Sequence, residues 1–119
     1  MIHRRLQTAT LIRGDCLDLL PSLASGESFT YLDPPYLAST RSAFNLYGQH
    51  EWSDDDHARL LGLVVRLPGK FLISGYRNDL YEALLGSWRF ESQEFSLRAR
   101  HSRYDVTRLY KEECLWANY

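Results

Sequence analysis

The junction between Phe29-Thr30-Tyr31-Leu32 and Asp33-Pro34-Pro35-Tyr36 restricts this chain more than any other segment. The first four residues read as a short buried strand. The next four cannot continue it. Neither proline donates a backbone hydrogen bond, and each holds its φ near about −65°. Asp33 precedes a proline and is therefore kept out of helical backbone space. The product is a stiff, extended corner at the end of a strand. It gathers one carboxylate, free carbonyls and a ring face, a poor choice for stability and a good one for a site. Such a set suits a flat, amino-bearing heterocycle, because oxygens accept from an exocyclic amino group while the phenol stacks on the π-face.

The chain has 119 residues, enough for one small domain, residues 1–119. No apolar run approaches the ~20 residues of a membrane span, and no signal peptide follows Arg4-Arg5. Cys16 and Cys114 form neither a disulfide framework nor a metal-ligand spacing, so no metal is expected and a reducing, cytoplasmic setting is the default. Both read as small buried hydrophobes without a base to activate them. The net charge of −1 excludes a uniformly basic nucleic-acid binder. Charge is nevertheless uneven, with Arg98, Arg100, His101, Arg103, Arg108 and Lys111 close together and Asp54-Asp55-Asp56 forming an acidic knot.

Along the chain, Thr8 to Arg13 reads as a short strand ending at Gly14-Asp15. Cys16 to Leu23 reads as a short helix interrupted near Pro21, and Asp15 suits its N-cap. Leu37 to Trp52 has no period and reads as a surface loop, of a length usually functional or mobile. Ser53 opens a helix through a capping-box-like Ser-x-x-Asp, with Leu60, Leu61, Val64, Val65 and Leu67 on its apolar face and Pro68-Gly69 as its stop. His57 reads as a helix-surface residue, and His50 and His101 as loop residues. Phe71-Leu72-Ile73 is a second buried strand that closes at Ser74-Gly75-Tyr76. Asn78 caps a third helix that ends at Gly86. Arg89 to Leu97 alternates as a half-exposed strand, the basic stretch follows, and Glu113 to Tyr119 is a final buried strand. Trp52, Trp88 and Trp116 read as core. This order predicts an α/β sheet with ligands at the carboxyl ends of its strands, where Asp15, the Asp33 corner and Ser74-Gly75-Tyr76 all fall.

Gly14-Asp15-Cys16, Tyr31 to Tyr36, the helix from Ser53 through His57 to Leu61, Phe71 to Tyr76 and Glu112 to Tyr119 occur in one order that resembles the carboxyl-terminal half of a D12-class (Dam-like) DNA adenine-N6 methyltransferase. Phage and prophage adenine methylases are the most similar in flavour. The resemblance implies a partial Rossmann-like, S-adenosylmethionine-dependent methyltransferase fold: three layers, and a mixed sheet with a C-terminal antiparallel hairpin. It implies transfer of a methyl group from S-adenosylmethionine to N6 of a flipped adenine in DNA. Asp33 and the Pro34 carbonyl would accept from the amino group, Pro35 would complete the corner, and Tyr36 would stack on the ring. Asp15 would bond the adenine of the cofactor, with the Cys16 amide and Asp33 beside it. Arg41, Arg98, Arg100, Arg103, Arg108 and Lys111 would meet DNA.

One departure matters. The family carries a Phe-x-Gly-x-Gly loop that holds the methionine end of the cofactor, and this chain has none. The family's first two core strands and its main DNA-reading insert are also missing. In the family's 3-2-1-4-5-7-6 strand order, that leaves an apolar sheet edge to be covered by a separately encoded amino-terminal half, a homo-oligomer or a rearranged amino terminus. The expectation is a truncated or split enzyme that binds cofactor weakly alone. Two rivals stand beside it: an N4-cytosine or RNA-base methyltransferase, since the corner suits any planar amino group, and a catalytically inactive remnant that binds nucleic acid or dimerises.

Overall fold

The computed structural model describes residues 8–37, 51–100 and 106–119, and the side chains of these except at 97–100 and 106–109. Three helices and four strands follow in the order α1 (Cys16–Leu23), β1 (Phe29–Leu32), α2 (Asp54–Val64), β2 (Lys70–Tyr76), α3 (Asp79–Leu85), β3 (Arg89–Arg100) and β4 (Val106–Ala117). The strands form one mixed sheet in the order β1-β2-β4-β3. β1 runs parallel to β2, β4 is antiparallel to β2, and β3 and β4 form an antiparallel hairpin.

Helix starts follow local chemistry. Asp15 caps α1 by accepting from the Leu17 amide at 2.9 Å. Ser53 and Asp56 close a full capping box on α2. Asn78 caps α3 by accepting from the Tyr81 amide at 2.9 Å. α1 runs through Pro21 without interruption. In so short a helix the proline forfeits one ladder bond, and the Ala24 amide to Leu20 carbonyl bond still closes the last turn. α2 ends at Val64, short of Leu67, and the chain then turns through Gly69 at φ 101°. A side chain there would press on the Ser25 and Ser28 carbonyls, so the turn demands glycine.

The core lies on one face of the sheet. Register places Leu32, Ile73, Trp116 and Phe90 in one row across the four strands, with Gly75, Cys114 and Ser92 on the same face. Leu20 of α1, Leu60, Leu61 and Val64 of α2, and Tyr81 and Leu85 of α3 cover that face with Phe71. Among the described residues the opposite face carries no helix, so the expected three layers are here two. Phe29 and Tyr31 are 56% and 53% exposed on that side. β1 is thus not the fully buried strand expected. It is an edge strand of the described sheet and buries one face, and a four-residue apolar run cannot distinguish the two cases.

Two further expectations are corrected. Thr8 to Arg13 forms no strand, and Leu11 is 98% exposed. No described strand lies beside it to supply a ladder. His57 is fully buried rather than on the helix surface. It begins the same stripe as Leu60, Leu61 and Val64, at helical spacing i, i+3, i+4 and i+7. Its Nδ1 lies 2.8 Å from the Tyr81 hydroxyl. β3 and β4 are also longer than expected, so the basic stretch lies along the hairpin instead of following it.

Candidate functional site

β1 and β2 set the Asp33 corner in place. Their parallel register pairs Leu32 with Ile73, so the chain leaves β1 at Asp33 level with Ser74. The buried Ser74 hydroxyl donates to Asp33 Oδ1 at 2.9 Å, and the Tyr31 hydroxyl contacts Ser74 Oγ at 3.3 Å. A line of hydroxyls therefore aims the carboxylate. One hydrogen bond uses one of about four acceptor positions on a carboxylate. Asp33 itself is exposed, Pro34 buried and Pro35 half-buried. The corner thus shows its polar end while its first ring is anchored.

A cavity of about 240 Å³ opens against this corner, lined by Cys16, Tyr31, Leu32, Asp33, Pro34, Pro35, Trp52 and Leu60. It joins the start of α1 to the end of β1, so Cys16 and Asp33 share one space. Its walls are ring and aliphatic surfaces with one carboxylate at the rim, a lining suited to a planar heterocycle. Asp15 is absent from that lining. Its side chain is engaged as the α1 cap.

Tyr36 faces the other way. Its hydroxyl donates to the Glu113 carboxylate of β4, and its ring sits edge-on to Tyr76 with centroids 4.7 Å apart. Burial, and then the hydrogen bond to Glu113, push the Tyr36 hydroxyl well above the ordinary phenol pKa. Lys111 places its ammonium 5.4 Å from the Tyr76 ring centroid. Phe95, opposite Lys111 in the hairpin register, tilts against the same ring. The site thus has two sides that meet at Asp33: the Cys16–Trp52 cavity and an aromatic surface built on Tyr36 and Tyr76.

Of the basic residues expected to meet DNA, Arg98 and Arg100 lie on β3 and Arg108 and Lys111 on β4, with Arg98 opposite Arg108. Arg41 and Arg103 lie outside the described residues. Sequence reasoning placed Ser74 at the ligand-binding strand ends without giving it a role, and missed Trp52 and Glu113. Trp52, read as core, is half-buried and walls the cavity. The signal for Ser74 was present in its position at the carboxyl end of β2. No signal in the sequence places Trp52 or Glu113, because each meets the corner only through tertiary structure. The thiols are unactivated: burial raises both pKa values, that of Cys114 to about 11, and the nearby Asp15 raises Cys16 further. Among the described residues no three metal-ligating side chains lie together, and no helix is long and apolar enough to cross a membrane.

Over 88 residues the chain is 27% identical to "Type II methyltransferase M.MjaIII" of Methanocaldococcus jannaschii, an alignment covering 70% of this chain. The chain spans about 30% of that relative's length. The sequence model of the family described as "D12 class N6 adenine-specific DNA methyltransferase" matches residues 5–104. With most of its length matched, the chain belongs to the D12 class N6 adenine-specific DNA methyltransferase family.

Proposed function

We propose that this chain carries the base-handling part of an S-adenosylmethionine-dependent DNA methyltransferase that modifies adenine at N6. The observation that carries the reading is the cavity shared by Cys16 and the Asp33-Pro34-Pro35 corner, with the carboxylate aimed by Ser74. The sheet order β1-β2-β4-β3 supports it, because it matches the last four places of the strand order that the family resemblance implies.

Each residue then has a task. Asp33 and the Pro34 carbonyl accept from the exocyclic amino group, which favours its pyramidal form and leaves the nitrogen lone pair available. The nitrogen would bond the methyl carbon as the C–S bond of the sulfonium breaks and a neutral thioether leaves; the fixed Asp33 carboxylate would stabilise the positive charge developing on nitrogen, whose proton would then pass to water. Ser74 keeps the carboxylate in place before the reaction, so less orientation is lost during it. Tyr36 offers a stacking surface. S-adenosylmethionine, when bound, supplies an electrophilic methyl group on a sulfonium. The planar-walled cavity fits the adenine end of that molecule, with the Cys16 amide beside it. For the methionine end this chain has no glycine-rich loop. We read the exposed face of the described sheet as the surface that a partner chain or a second copy covers. Lys111 and the arginines of the β3–β4 hairpin are the DNA-phosphate contacts of this reading.

Labelled-methyl transfer to oligonucleotides holding only adenine or only cytosine as the amino-bearing target tests it. Incorporation confined to the adenine substrate, and lost in Asp33→Ala with unchanged melting, is expected. Equal incorporation in Asp33→Ala would remove the catalytic assignment, and incorporation into cytosine would shift the substrate. A second reading, a non-catalytic module that associates through its sheet, is favoured by the exposed Phe29 and Tyr31 of β1. No heat with S-adenosylhomocysteine in calorimetry would support that reading.

A further inference from the structure

Tyr36 is tied to a strand far from it in sequence. Two consecutive prolines fix the backbone that enters it, but the phenol still turns about its own two side-chain torsions. Two contacts limit that freedom. The ring edge rests against Tyr76, and the hydroxyl donates to the Glu113 carboxylate. Tyr76 and Glu113 are directly opposite each other in the β2–β4 ladder, so they project from the same face of the sheet. Lys111 lies two residues before Glu113 on that strand and reaches over the same Tyr76 ring. All three residues at the Glu113 anchor are half-buried, and a phenol-to-carboxylate hydrogen bond is charge-assisted.

We propose that Glu113 is a positioning residue that fixes the plane of the Tyr36 ring on which a target base stacks. The inference rests on the base-binding reading of the Asp33 corner and extends it to β4. Glu113 does not touch the base. It holds the phenol by its polar tip, Tyr76 holds it by its edge, and one ring face stays available for stacking. The same bond joins the corner to the β3–β4 hairpin, so a base on Tyr36 and a phosphate near Lys111 are served by one rigid strand.

Two measurements on the full chain separate the outcomes. In protein labelled with 3-fluorotyrosine, the Tyr36 fluorine resonance is identified by its loss in Tyr36→Phe. Glu113→Ala should move it toward free 3-fluorotyrosine, and Glu113→Gln, whose amide oxygen still accepts, should leave it near its original position. An unmoved resonance in Glu113→Ala would overturn the anchor. The second measurement is fluorescence binding of oligodeoxyadenylate. Glu113→Ala and Tyr36→Phe should each weaken it by at least about fivefold, and the double variant by no more than either alone. Losses that multiply independently would overturn the coupling. No oligodeoxyadenylate binding by the unaltered chain would overturn the base-binding reading itself, leaving the fluorine measurement to judge Glu113.

Discussion

Ser74 turns an exposed carboxylate into an oriented one. Removing its hydroxyl in Ser74→Ala deletes the donor to Asp33 Oδ1 while leaving an apolar methyl in a buried place. The expected outcome is a melting temperature close to the unaltered chain, since such a bond contributes about 1 kcal/mol. S-adenosylhomocysteine affinity or methyl transfer should fall about tenfold, measured by calorimetry and label incorporation. The cysteines give a second residue-scale prediction. Burial holds Cys114 at about 11 and raises Cys16. Only the thiolate reacts, so alkylation by iodoacetamide in the folded chain should be slow at neutral pH and accelerate only under alkaline conditions. Rapid neutral labelling of either would contradict the packing. At this scale Asp33 was legible in the sequence because its two prolines leave few backbone choices. Glu113 was not, since its contact with Tyr36 depends on strand register.

α2 shows how an element is specified at its start. Ser53 receives the Asp56 amide, and Asp56 accepts from both the Ser53 amide and hydroxyl. Those bonds hold the Asp56 carboxyl below the usual carboxylate range, the backbone bond first and the hydroxyl second. A lowered native pKa stabilises the fold above the unfolded value of about 4, and that contribution disappears as pH falls through the native value. Ser53→Ala should cost about 1 kcal/mol at neutral pH, and the difference from the unaltered chain should shrink on acidification, read by denaturant melts across pH. A second test concerns the interior of the helix layer. Tyr81→Phe removes the hydroxyl that meets buried His57 and should cost about 1–3 kcal/mol. Caps and the Pro68-Gly69 stop were legible because they are local chemistry. The burial of His57 follows from the stripe it shares with Leu60, Leu61 and Val64, which spacing alone does not assign because a polar ring also suits a helix surface. Thr8 to Arg13 failed as a strand because apolar composition cannot supply a neighbouring ladder.

Across the whole molecule, all the described helices cover one face of the sheet and leave Phe29, Tyr31, Leu115 and Tyr119 on the other. An edge strand with exposed aromatic rings is prone to pair with another chain. Sedimentation should therefore show association that grows with concentration, and Phe29→Lys should reduce it. A monomer at every concentration would mean that this face is self-sufficient. The sheet class was legible from the alternation of apolar runs and helical stripes, whereas the length of the β3–β4 hairpin was not, because Arg98 to Lys111 carries polar residues that a solvated strand and a loop share. The Asp33 corner and Cys16 share a cavity, proposed above to take a purine. The most direct test of that proposal is an amide and indole NMR titration with S-adenosylhomocysteine. Perturbations clustered at Cys16, Tyr31, Asp33 and the Trp52 indole are predicted. Perturbations confined to other parts of the sheet, with those residues unmoved at saturation, would contradict it.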